Sequence, residues 1–122
     1  MPFQRILREL LEVTPGAVGA VFLDRGGEAV ELWSDRVFDV GPEGLRAIGA
    51  YQGVYLGQLK RLCERIGAGP PQRFTIDFEH ARVLSCDLKE GYYLVLIIDP
   101  NANEGIAWHH LSDCRRKLIA EL

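Results

Sequence analysis

Seven apolar residues in a row, "YYLVLII" at positions 92–98, constrain this chain more than any other feature. The run is strand-sized, well short of the ~18 residues that a membrane span needs. A strand without polar alternation is buried on both faces, so the sheet around it must carry a covering layer above and below. The rest of the chain has to supply those layers.

Helical spacing of Phe3, Ile6, Leu7, Leu10 and Leu11 predicts a first helix ending at Thr14-Pro15, where a pre-proline residue leaves the helical region. "AVGAVFLD" (17–24) and "EAVELWS" (28–34) read as two strands of a hairpin around Arg25-Gly26-Gly27. A long helix is predicted from Pro42 to Ile66, stopped by Gly67-Ala68-Gly69-Pro70-Pro71. "QRFTIDFE" (72–79) alternates, with Phe74, Ile76 and Phe78 on one face. "ARVLSCDL" (81–88) is a further strand, and Lys89-Glu90-Gly91 turns into "YYLVLIID" (92–99). Asn101, with Glu104 three residues on, resembles the cap of a last helix that presents Ile106, Leu111, Cys114, Leu118 and Leu122. The order is α-β-β-α-β-β-β-α: an α+β chain with a mainly antiparallel five-stranded sheet. No linker or repeat divides it, so residues 1–122 are expected to form one domain.

Composition excludes several classes. A formal charge of −3 argues against nucleic acid as a partner. The charges Arg5, Arg8 and Glu9 interrupt any signal-peptide core, and no stretch is suited to membrane insertion. Cys63, Cys86 and Cys114 are odd in number and far apart, which fits a reducing, cytoplasmic location better than a disulfide framework.

The long helix carries Gly49, Gly53 and Gly57 at a strict spacing of four, each costing about 1 kcal/mol relative to alanine. Leu45, Ile48, Gln52, Leu56, Leu59, Cys63 and Ile66 form the stripe expected to face the sheet. The glycines line its flank, advancing by only ~40° per step. Such a trough admits a close neighbour, either the chain's own sheet or a second helix. Because the leucine stripe already covers the sheet, a helix from another copy is the favoured neighbour.

No constellation carries chemistry. His109 and His110 are adjacent and diverge by ~100° on a helix, so they are not expected to chelate as an i, i+4 pair would; His80 sits in a turn. The cysteines fall on apolar stripes, no pair of acids forms a motif, and Gly16 and Gly19 lack the Gly-Lys-Ser/Thr of a phosphate loop. No catalytic residue, metal or cofactor is expected.

"TPGAVGAVFLDRGGEAVELWS" (14–34) and "YYLVLIIDPNANEGIAWHHLSDCRRKLIAEL" (92–122) resemble the opening hairpin and the closing strand, loop and helix of the roadblock / dynein light-chain domain family. Gly16-Ala17-Val18 departs from the Gly-Val that often stands there. The resemblance implies a sheet with the long helix on one face and the terminal helices on the other. It also implies a homodimer in which the third strand pairs across the two-fold axis and the long helices lie side by side. The implied interface is Gly49, Gly53, Leu56, Gly57, Lys60, Phe74, Ile76 and Phe78. By the same resemblance the chain is a non-enzymatic regulator or scaffold for a small Ras-like GTPase. Arg46, Ala50, Tyr51, Val54, Gln58 and Arg61, on the outward side of the long helix, are the candidate contacts for that partner. The alternative from a different class is a small-ligand sensor, with Trp33, Tyr92 or Trp108 lining a pocket between sheet and helices.

Overall fold

The computed structural model of the chain describes residues 2–35 and 41–122. Helix α1 (Pro2–Val13) leads into strands β1 (Ala17–Leu23) and β2 (Ala29–Ser34). Helix α2 (Gly41–Ile66) is followed by β3 (Arg73–Asp77), β4 (Arg82–Asp87) and β5 (Tyr93–Ile98), and helix α3 (Glu104–Glu121) closes the chain. The five strands form one sheet in the order β2-β1-β5-β4-β3, with every pairing antiparallel. All six residues of β5 are buried, as its unbroken apolar run requires of a central strand.

Parity along the strands divides the interior into two cores. Ala20, Phe22, Leu84, Leu94, Leu96 and Ile98 point to one face, where Ile6, Leu7 and Leu10 of α1 and Ala107, Leu111, Cys114 and Leu118 of α3 pack on them. Val21, Leu23, Val83, Tyr93, Val95 and Ile97 point to the other, beneath Leu45 and Leu56 of α2. The long helix therefore lies on one face and the two terminal helices on the other.

Local chemistry sets the turns. The Asp24 carboxylate accepts from the backbone N–H of Gly26 (2.9 Å) and of Glu28 (3.0 Å), and Gly27 takes the positive φ of 85° that closes the β1–β2 hairpin. Two expectations for α3 need correction. Its N-cap is Asn103, not Asn101: the Asn103 side chain accepts from the Ile106 N–H at 2.9 Å, whereas the Asn101 N–H donates to Asp99 at 2.8 Å. The inward face begins at Ala107, four residues before the buried Leu111, and Ile106 beside it is 45% exposed.

Among the described residues no helix is long and apolar enough to cross a membrane.

Candidate functional site

The buried stripe of α2 is Leu45, Gly49, Gln52 and Leu56. It is rotated toward the glycines relative to the stripe expected from the leucines. Ile48, Leu59 and Cys63 are only half-buried, and Ile66 is 66% exposed.

The glycines explain the rotation. A Cβ on Gly49 would stand 2.7 Å from Leu23 Cδ2, and one on Gly53 would overlap the Tyr93 hydroxyl. That hydroxyl donates to the Gly49 carbonyl at 3.0 Å. Burial pushes the Tyr93 phenol up to about 12, with the nearby Asp24 adding to the shift. The trough at Gly49 and Gly53 is thus filled by side chains of the chain's own sheet, which corrects the favoured reading of a second helix at these two positions. At Gly57 a Cβ would meet only the Arg61 guanidinium, 3.9 Å away, so this glycine faces open space.

Two polar links pin the helix to the sheet. Ser85 Oγ on β4 donates to the buried Gln52 Oε1 at 3.0 Å. Lys60 Nζ lies 3.4 Å from Asp87 Oδ1, and the Asp87 carbonyl accepts from Arg115 Nε of α3 at 2.7 Å. Lys60 is therefore engaged within the chain, and Leu56 is buried in its core.

Beyond this seam the α2 face of the sheet lies open. A groove of about 480 Å³ runs between α2 and the β3–β4 end, lined by Ile48, Tyr51, Gln52 and Tyr55 from the helix and by Phe78, Ala81, Val83 and Ile97 from the sheet side. Register places Phe74 opposite Ser85 and Ile76 opposite Val83, so both look to this face. The helix flank above is an apolar row, Ile48, Tyr51, Tyr55, Leu59, Leu62 and Ile66, of which Tyr51 is 64% and Leu62 47% exposed. β3, the strand at the rim of the groove, is an edge of the sheet.

Sequence reasoning brought Phe74, Ile76 and Phe78 to this surface but missed Tyr55, Leu62 and Ile66. Their spacing with Ile48 and Tyr51 (three, four, four, three, four through Leu59) is the signal that could have found them. Arg46, Ala50, Tyr51, Val54, Gln58 and Arg61 are all exposed, and Arg46 is paired with Glu43 at 3.2 Å.

The aromatics considered for a ligand pocket do not meet. Trp33 lies beneath Arg8, Trp108 beneath Arg73 and Tyr92 against Phe22, all on the face opposite the groove. His109 and His110 do not diverge as their adjacency implied: their ring centroids are 5.3 Å apart, and their ligand atoms and one from Asp113 lie within 4.8 Å of one another. Cys86 and Cys114 are buried on the α1/α3 side, where desolvation pushes each thiol up to about 12.

A five-stranded antiparallel sheet with one long helix on one face and two terminal helices on the other is the architecture of roadblock-type domains, and the chain has that fold. The gliding protein MglB of Thermus thermophilus matches it with a TM-score of 0.86 at 21% identity, over 98% of this chain and 87% of that one. An MglB in a tetrameric arrangement matches with a TM-score of 0.86 at 22% identity, over 98% of this chain and 88% of that one. The Roadblock/LC7 domain of Streptomyces avermitilis follows with a TM-score of 0.84 at 12% identity, over 94% and 92% of the two chains. At the level of sequence the chain matches no family model and no curated protein.

Proposed function

We propose that the chain acts as a single 122-residue cytoplasmic domain, a non-enzymatic homodimeric regulator or scaffold that binds a small Ras-like GTPase. The observation that carries this reading is the half-covered α2 face. Five strands at about 4.8 Å spacing span about 19 Å, whereas one helix covers about 10 Å. The opposite face has two helices; among the described residues this one has α2 alone, with an apolar row along the flank that overlooks the uncovered strands. A second copy related by a two-fold axis brings a second α2 and a second β3 edge to that gap, a self-complementary solution. In that arrangement Phe74, Ile76 and Phe78 join the groove residues Tyr51 and Tyr55 at the interface, while Gly57, about 160° round the helix from Tyr55, stays on the opposite flank beside Arg61. Gly49, Gly53, Leu56 and Lys60 support it from within each copy. The solved MglB in a tetrameric arrangement is an assembled example of the same fold. The outward side, with Arg46, Ala50, Val54, Gln58 and Arg61, remains available to the GTPase, and the exposed apolar Val54 marks it as an interaction surface.

The test is the solution mass by light scattering across a dilution series. A dimer is expected to persist, and Tyr55→Asp combined with Phe78→Asp is expected to give a folded monomer, since both side chains are exposed in the single chain. A strictly monomeric wild type would overturn the homodimer. Pull-down of Ras-like GTPases loaded with GDP or a GTP analogue then tests the partner. Arg61→Glu is expected to weaken capture without changing the mass.

A further inference from the structure

We propose that His109, His110 and Asp113 of α3 form a binding site for a divalent transition metal of the zinc class, at the mouth of the cleft between α1 and α3. The inference is independent of the GTPase reading. Helical geometry accounts for the convergence. At ~100° per residue, Asp113 stands one turn beyond the two histidines at an angle between theirs. It is thus the i+4 neighbour of His109 and the i+3 neighbour of His110, and both spacings put side chains in reach. The outcome is observed: one ligand atom from each residue falls within 4.8 Å of the other two. His109 is exposed and the other two are half-buried, so the rings have room to close the remaining distance onto an ion.

The second observation is the cleft itself. His110 and Asp113 line a depression of about 270 Å³ whose α1 wall includes Glu9 and Glu12. Those carboxylates pair loosely with Arg5 (4.0 Å) and Arg8 (3.8 Å) on their own helix. Only His109, His110 and Asp113 bring ligand atoms together, so the chain supplies three donors and leaves the fourth position of a tetrahedral ion to solvent.

The donor set selects the metal. Two imidazoles and a carboxylate suit zinc and its neighbours nickel and copper, whereas calcium and magnesium require an oxygen shell. Arg116 is the competitor, since its guanidinium bonds the Asp113 carboxylate. Arg116 is 69% exposed, and an exposed ion pair of this kind yields readily.

The test is calorimetric titration of the full chain with Zn²⁺, repeated with Co²⁺ to read the ligands spectroscopically. One saturable equivalent is expected, with cobalt d–d bands and no thiolate-to-cobalt charge-transfer band. His109→Ala, His110→Ala and Asp113→Asn are each expected to weaken binding by more than about ten-fold, the loss that even outer partners of metal sites carry. His80→Ala serves as the control and is expected to change nothing. Arg116→Ala is expected to bind at least as tightly as the wild type, and all variants should keep the native circular dichroism spectrum. Failure to saturate, a charge-transfer band showing that a cysteine holds the ion, or binding indifferent to His109 and Asp113 would each overturn the site.

Discussion

On the α1/α3 side of the sheet, Phe22, Leu84, Leu94, Leu96 and Ile98 are all buried within the single chain. On the α2 side, Phe74 and Ile76 are half-exposed and Phe78 is 53% exposed. The strands are the same; the covering differs. Two helices that also contact each other close the first face. A single helix, packed over β2, β1 and β5 and reaching β4 through Gln52, leaves the second face open toward β3. A closed face yields stability within one chain, and a half-covered face leaves apolar side chains in contact with solvent.

The contrast is broken most forcefully by truncation. Leu96→Ala beneath α1 and α3 is expected to cost about 2–5 kcal/mol in urea unfolding, because its neighbours cannot collapse into the void. Phe78→Ala on the open face should change the stability of the isolated chain by no more than about 0.5 kcal/mol while weakening self-association. Equal losses at both sites would show that the groove is closed within the monomer.

Next come the glycines. Gly53→Leu drives a side chain into Tyr93 and displaces its hydrogen bond to Gly49, so a loss of at least about 1–3 kcal/mol is expected at every protein concentration. Gly57→Ala meets open space and should stabilise the isolated chain by up to about 1 kcal/mol through helix propensity alone. If Gly53→Leu instead leaves unfolding untouched and only splits the oligomer, the glycine faces a partner rather than the sheet.

The smallest effect at neutral pH is the alkaline one. Cys86 and Cys114 rise from 9.0 to about 12 and Tyr93 from 10.0 to about 12, so the folded chain keeps protons that the unfolded chain gives up. Stability from these groups is complete below pH 9 and is lost as pH climbs toward 12, and urea midpoints measured across that window check it. The thiols of the closed face set the onset near 9, and Tyr93→Phe should remove the additional loss above 10.

Element order, the β1–β2 hairpin and the central place of β5 were legible because each is written locally: alternation, a Gly-Gly turn, an unbroken apolar run. The edge position of β3 and the face assignment of the helices came from the family resemblance rather than from these signals. The α3 cap was misread because Asn101 and Asn103 both offer a capping side chain, and only the hydrogen bond to Ile106 chooses between them. The metal candidate was dismissed because adjacency was weighed without Asp113, one turn on.

By itself the sequence determined which segments are helix or strand and that a sheet must be covered on both sides, since periodicity and turn chemistry act over a few residues. Only the tertiary structure decided how α2 is rotated on that sheet. The Leu23 side chain and the Tyr93 hydroxyl occupy the spaces at Gly49 and Gly53, and this turns Ile48, Tyr51 and Tyr55 toward the open strands. That contact joins residues dozens of positions apart, where no local pattern records it.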